Sequence, residues 1–252
     1  MIKIENYEVL GWEHAVRGMR NPMNSWAKSD SGFKAIAETD ILNENGKPEK
    51  MLVQFDALGI GENDHALMMK LANAGPVHGK FRRMITVYVD ITAPLYWWKE
   101  FDTYKVGTVA NSCSTIHKIH EKEFDFSDFS HEHLMCLADD EELFIDMSGI
   151  GDGSSIYSPC GYFDGLIKLL NKCRDKFLET KDKEYWWQMI QLLPSSYNQK
   201  RTVQLNYEVL AGIYQYRKDH KLDEWREFCK WIEELPYSEI ITGDSRDVDE
   251  GN

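Results

Sequence analysis

A chain of 252 residues with 42% hydrophobic, 28% charged and 12% aromatic residues, 8 of them Trp, has the material for a substantial core and excludes intrinsic disorder. A net charge of −13 argues against a broad electrostatic grip on nucleic acid, while leaving room for a local cationic pocket that takes one nucleotide. Five scattered cysteines without a C-x-x-C motif (Cys113, Cys136, Cys160, Cys173 and Cys229), no signal-like N-terminal run and nothing near the ~18 apolar residues of a membrane span lead to the expectation of a cytoplasmic protein in a reducing compartment, without a disulfide framework.

In chain order, residues 2–12 read as a short strand with its turn. Residues 13–20 read as the start of a helix, broken near Asn21-Pro22 because the residue before proline is pushed out of helical geometry. Residues 25–45 are polar and are predicted to form a loop. Asn45-Gly46 is a hairpin signal, weakened by Pro48 and Glu49, and residues 52–58 read as a strand. Leu67, Met68, Leu71 and Ala72 recur at helical spacing over 64–74, and Gly75-Pro76 ends that helix. Residues 81–91 read as a half-buried strand, with Val87, Val89 and Ile91 alternating against Tyr88 and Asp90.

Ala93-Pro94 opens a predicted helix to Tyr104, proline being tolerated in a first turn. Small and hydroxyl residues follow as a polar loop: Gly107, Thr108, Asn111, Ser112, Cys113, Ser114 and Thr115. Ser114 or Thr115 would cap a short helix through His117. Residues 130–138 read as a helix capped by Ser130, and residues 148–159 as a mobile loop. Phe163, Leu166, Ile167, Leu170 and Phe177 make 161–179 amphipathic. Helices are also predicted over 184–193, 206–216 and 223–235. With no repeat and no linker, one domain over 1–243 is expected, followed by an acidic, disordered tail over 244–252.

Three blocks carry a family likeness. The first is AVRGMR, residues 15–20, an early helix of the type A-x-R-x-x-x. The second runs from Gly75 to Ile119 as strand, proline-opened helix and polar loop. The third is residues 192–229, in which Pro194, Asn206, Leu210, Arg217, Glu224 and Arg226 fall in one gapless register. Together they resemble the flavin-dependent thymidylate synthases. Against that family's G-H-x-[ST]-P-x-x-H segment and R-H-R-x7-S signature, His78 is retained, Thr103, Tyr104 and Lys105 stand on R-H-R, and Cys113 stands on the serine. A one-residue slip puts Ser112 there instead. Thr115 and Ile190 stand where the family has arginines, and Glu208 replaces the arginine after the asparagine.

The resemblance implies an α+β fold, a twisted and mainly antiparallel sheet flanked by helices. It also implies a homotetramer whose sites are shared between subunits. The implied reaction methylates dUMP to dTMP with methylenetetrahydrofolate, FAD as cofactor and NADPH as reductant. Arg217 is the implied catalytic residue, its guanidinium stabilising charge that develops on the uracil ring; the alternative is a helix-surface arginine near a C-terminus. His78, Tyr104, Lys105 and Asn206 are the implied cofactor contacts. Lys105, Asn111, Ser112, Cys113, Ser114 and Arg217 are the implied substrate contacts. No metal is expected.

Simpler readings stand beside these. Lys105 reads equally as a solvated lysine, His78 as a loop histidine and Asn206 as a polar cap. Cys113 and His117, four apart, would share a helical face and form a nucleophile pair, or Cys113 is inert filler. The pairs His117/His120 and His131/His133 lack a carboxylate or cysteine at ligand spacing. Glu100 and Asp102 read as surface charges, and Tyr96, Trp97, Trp98, Phe101 and Tyr104 as core, an interface or a stacking platform for a ring. The substituted signature leaves a second class of function open, a non-catalytic protein of this fold that binds a nucleotide or a partner. An enzyme acting on a different nucleotide is a third reading.

Overall fold

The computed structural model describes residues 2–42, 46–136, 145–146 and 156–243. The tail over 244–252 and most of the expected 148–159 loop lie outside the described residues.

The chain begins with β1 (Lys3–Leu10) and α1 (Trp12–Arg20), as the N-terminal pattern predicts. Within the polar stretch 25–45 expected to be loop, residues 32–42 are instead the first arm of a long hairpin, β2 (Gly32–Leu42) paired antiparallel with β3 (Pro48–Gly59), and residues 43–45 lie outside the described residues. The discrepancy has a physical cause. The ribbon forms its own two-stranded sheet and buries neither face fully, so no strict apolar alternation is needed; Ile36 stays 70% exposed.

Its root is tied down by Asp64, at 0% exposure in the first turn of α2 (Glu62–Asn73). The Asp64 carboxylate accepts from Arg20 Nε at 2.5 Å, Ser29 Oγ at 2.6 Å and Ser31 Oγ at 2.7 Å, and from the backbone N–H groups of Asp30 and Ser31, both at 3.1 Å. Burial alone would raise the carboxyl's pKa. The bonds from Ser29, Ser31 and Arg20, with the arginine's charge, outweigh that and hold it below its usual value.

The main sheet has the order β1-β4-β8-β5, antiparallel throughout. β4 (Thr86–Pro94) is central, and Val87, Val89 and Ile91 are buried as their alternation predicts. The expected strand start at residue 81 is displaced, since Gly79–Met84 is a 3-10 turn. Ala93 and Pro94 end β4 rather than opening a helix. α3 (Leu95–Phe101) starts one residue later, with Leu95 and Tyr96 donating to the carbonyls of Tyr197 and Ser195.

β5 (Val109–Ser112) is one of the sheet's two edge strands, in a stretch expected to be loop. Its residues are exposed, which removes the apolar signal of a strand. α4 (Thr115–Lys118) follows, capped by Ser114 as expected, its Oγ accepting from His117 N. The predicted helix over 130–138 is absent from its described part. Ser130 N donates to Ser196 O, and a bridge between Phe129 and Tyr197 holds the chain extended there.

After the short pair β6 (Ile145–Asp146) and β7 (Ile156–Tyr157) come α5 (Pro159–Thr180) and α6 (Lys183–Leu192). These two helices close a smaller core around Phe129, Phe163, Leu170 and Met189. Cys136 and Cys160 are joined in a disulfide, which corrects the expectation of uniformly free cysteines. Their 24-residue separation gives no hint in sequence that the chain returns there.

β8 (Asn198–Asn206) completes the sheet between β4 and β5, and α7 (Tyr207–Arg217), α8 (Asp223–Glu233) and α9 (Glu239–Thr242) close the main core. Trp97, Trp98, Phe101, Trp225 and Phe228 pack there edge-on and stacked, with exposures of 1% or less. Most of the aromatic helix is therefore core. No helix among the described residues is long and apolar enough to cross a membrane.

Candidate functional site

The site forms where the chain leaves α3 and turns toward β5. Thr103 N and Oγ1 both donate to Glu100 O, and Tyr104 N donates to Phe101 O, so α3 ends in a tight turn. Gly107 then bends the chain at φ 80°, a backbone angle that side chains disfavour. A Cβ there would sit 2.9 Å from Asn206 Nδ2. The bend lays Tyr104 and Lys105 against the first turn of α7. Asn206, ending β8, caps that helix, its Oδ1 accepting from the N–H groups of Glu208 and Val209 at 3.1 Å each.

Between these walls lies a cavity of about 400 Å³, lined by Arg83, Tyr104, Lys105, Asn206, Glu208 and Gly212 among others. This lies within the roughly 300–1,000 Å³ typical of small-molecule sites. An adjoining cavity of about 320 Å³ shares Tyr104 and Lys105 and reaches Asp102 and Thr108. Thr108 Oγ1 is buried there with no hydrogen-bond partner among the described residues.

The arginines nearby are held by the chain's own carboxylates. Arg82 Nε and Nη2 both reach Glu208 Oε2 at 2.7 Å. Arg201 Nη1 donates to Asp102 Oδ1 at 2.7 Å, its guanidinium 4.2 Å from the Trp98 ring centre. Arg217 Nη1 donates to Glu100 Oε2 at 2.6 Å and its Nε to Tyr104 Oη at 3.0 Å, with the guanidinium 4.7 Å from the Trp225 ring centre. Glu100 and Asp102 are thus arginine partners rather than lone surface charges.

The structure brings Tyr104, Lys105 and Asn206 into one cavity, with Arg217 joined to it through the Tyr104 hydroxyl. His78 lies apart, exposed in the turn after α2, its N–H donating to Gly75 O. Asn111 and Ser112 lie on β5, with Cys113 and Ser114 just beyond it; all four are exposed and none lines either cavity. At ~3.3 Å per residue, Ser112 lies about 10 Å along the strand from Val109. Cys113 precedes the cap of α4, so it shares no helical face with His117. His133 pairs with Asp223, and no three metal-ligating side chains gather among the described residues.

Arg83 is the charged lining residue that the sequence pattern did not single out. Reading residues 81–91 as one strand hid it; in the 3-10 turn that exists, Arg82 is buried and Arg83 is exposed at the cavity.

No family model and no curated protein matches this sequence. Solved structures do. ThyX from Helicobacter pylori with FAD and dUMP is 14% identical, over 96% of this chain and 96% of that one, at a TM-score of 0.58. The UMP/dUMP methylase PolB from Streptomyces cacaoi, bound with 5-Br dUMP, is 12% identical over 96% and 95%, at 0.53. The fold is that of the flavin-dependent thymidylate synthases. At these identities the likeness extends to the fold and leaves the chemistry to this chain's own residues.

Proposed function

We propose that this protein is an enzyme acting on a pyrimidine nucleotide, a divergent counterpart of the flavin-dependent thymidylate synthases that methylates dUMP or a close relative of it. The observation that carries this reading is the convergence of Tyr104, Lys105 and Asn206 on one nucleotide-sized cavity. These residues come from two distant sequence blocks, both assigned to ligand contact by the family resemblance. Further support comes from the likeness in fold to solved structures in which ThyX was crystallised with FAD and dUMP and PolB with a brominated dUMP.

The residues present fit part of a flavin dinucleotide rather than the whole of it. Tyr104 offers a ring face and Asn206 an amide in about 400 Å³, and Thr108 offers a hydroxyl in the adjoining cavity of about 320 Å³. A bound flavin would supply the hydride equivalent. The chain's part is to bind, orient and stabilise charge. In this reading Arg217, held by Glu100 and in contact with Tyr104, opposes negative charge developing on a pyrimidine held against that tyrosine. The separation of Asn111, Ser112, Cys113 and Ser114 from the cavity supports a site completed by another copy of the chain, as in a homotetramer. A monomer by light scattering would remove that part of the reading.

The test is an absorbance spectrum of the purified protein with FAD, before and after adding dUMP. A flavin band that shifts on dUMP addition is expected, followed by dTMP formation with methylenetetrahydrofolate and NADPH. No spectral response at saturating FAD would defeat the flavoenzyme reading.

A second reading has its own observation. Arg82, Arg201 and Arg217 are each neutralised internally. This favours a site rebuilt for another nucleotide, or one that binds a nucleotide without turnover. Binding of dUMP with no dTMP formed would select it.

A further inference from the structure

We infer that Arg83 and Lys105 form a phosphate-binding clamp at the mouth of the 400 Å³ cavity, taking the phosphate of a nucleotide whose ring lies on Tyr104. The inference deepens the proposed function by naming the group that fixes the ligand, and it rests on that reading for the ring's identity.

Glu208 is the carboxylate lining this cavity, and both Nε and Nη2 of Arg82 already bind its Oε2 at 2.7 Å. Arg201 and Arg217 are paired with Asp102 and Glu100. Among the described residues, Arg83 and Lys105 make no salt bridge or side-chain hydrogen bond. Two cations without carboxylate partners therefore line the same cavity in a protein of net charge −13.

They come from separate elements. Arg83 lies in the 3-10 turn at Gly79–Met84 and Lys105 in the turn after α3, so no local helical pattern accounts for their meeting. The second observation is Thr108 Oγ1, buried without a partner in the adjoining cavity that Lys105 also lines. A phosphate supplies several acceptor oxygens, enough to engage a guanidinium fork and an ammonium together.

The experiment measures binding of dUMP, deoxyuridine, FAD and inorganic pyrophosphate by titration calorimetry, with the wild type and with Arg83→Gln and Lys105→Gln. Each variant should weaken phosphate-bearing ligands by about ten- to a hundredfold and leave deoxyuridine unchanged. Whether dUMP or FAD is the ligand affected tells which phosphate sits in the clamp.

Both exchanges are at exposed positions, and an unchanged melting temperature separates lost binding from lost fold. Wild-type dUMP or FAD affinity in both variants would overturn the clamp while leaving the nucleotide reading in place. Pyrophosphate binding that both variants lose, with no binding of dUMP or FAD, would support the clamp and defeat the nucleotide reading. No binding of any of the four ligands would defeat both.

Discussion

Arg217→Ala tests whether the arginine is a site residue, a structural tie, or both. The family resemblance implies lost turnover with little effect on the fold, but the contacts imply more. The change removes a charge-assisted bond to Glu100 at 2.6 Å and a bond to Tyr104 at 3.0 Å, and it removes a guanidinium lying 4.7 Å from the Trp225 ring centre. Glu100 keeps its bond from Trp225 Nε1 at 2.9 Å, and its side chain is 36% exposed, so water compensates part of the loss. The net cost is about 2–4 kcal/mol, since charged hydrogen bonds contribute ~1.5–3 and partly exposed cation–π contacts ~0.5–1. Glu100→Gln keeps an acceptor and costs about 1 kcal/mol. Urea unfolding followed by tryptophan fluorescence measures both, because Trp225 lies in the affected contact. The double variant should lose about 1–2 kcal/mol less than the single losses taken together. A loss below about 0.5 kcal/mol for Arg217→Ala, or strict additivity, would refute the pairing as an energetic tie.

Asp64→Asn should cost about 3–5 kcal/mol at neutral pH, because Arg20, 4% exposed, loses its counter-charge. Asp64 is held below its usual pKa, so its contribution is complete above the unfolded carboxyl value of about 3.9 and is lost as pH falls through the folded value. The stability gap between wild type and variant should therefore narrow below about pH 4 in acid titrations; a constant gap would contradict the assignment. Gly107→Ala puts a Cβ 2.9 Å from Asn206 Nδ2 at φ 80° and should cost about 1–3 kcal/mol by thermal unfolding, with loss of nucleotide binding. Gly212→Ala meets nothing within 4 Å and sits inside α7, so it should stabilise by about 0.5–1 kcal/mol. Destabilisation there would show that the space beside Gly212 is not open.

The fold was legible where burial imposes a period. β4 shows this through Val87, Val89 and Ile91, and α5 through Phe163, Ile167 and Leu170. It was illegible where a strand needs no buried face. The β2–β3 ribbon leaves Ile36 70% and Leu52 73% exposed, and β5 leaves Val109 64% exposed, so neither carries the alternation that marks a half-buried strand. Pro94 misled for a local reason. Proline fits both the end of a strand and the start of a helix, and the choice was made by the 195–197 segment, whose carbonyls take the first N–H groups of α3. Tyr104, Lys105 and Asn206, which the resemblance singles out, line one cavity. Arg83 was not singled out, because its placement depends on a 3-10 turn that moves it out of phase with the strand that follows.

The retained residues and the replaced ones act on different quantities. Thr103, Tyr104 and Ile190 withdraw positive charge from positions where the resemblance expects arginine or histidine, and Glu208 adds negative charge beside Asn206. Unopposed, those changes would make this corner repel a phosphate, since two unit charges 4 Å apart interact by about 4 kcal/mol at an effective dielectric of 20. Arg82 cancels Glu208 at 2.7 Å and so returns the cavity to near neutrality. What remains to set its sign is Arg83 and Lys105. The scaffold can therefore keep its capped α7, its Gly107 bend and its aromatic wall while the charge recognised within them depends on two exposed side chains. A change at those two side chains would therefore alter ligand recognition without altering the fold.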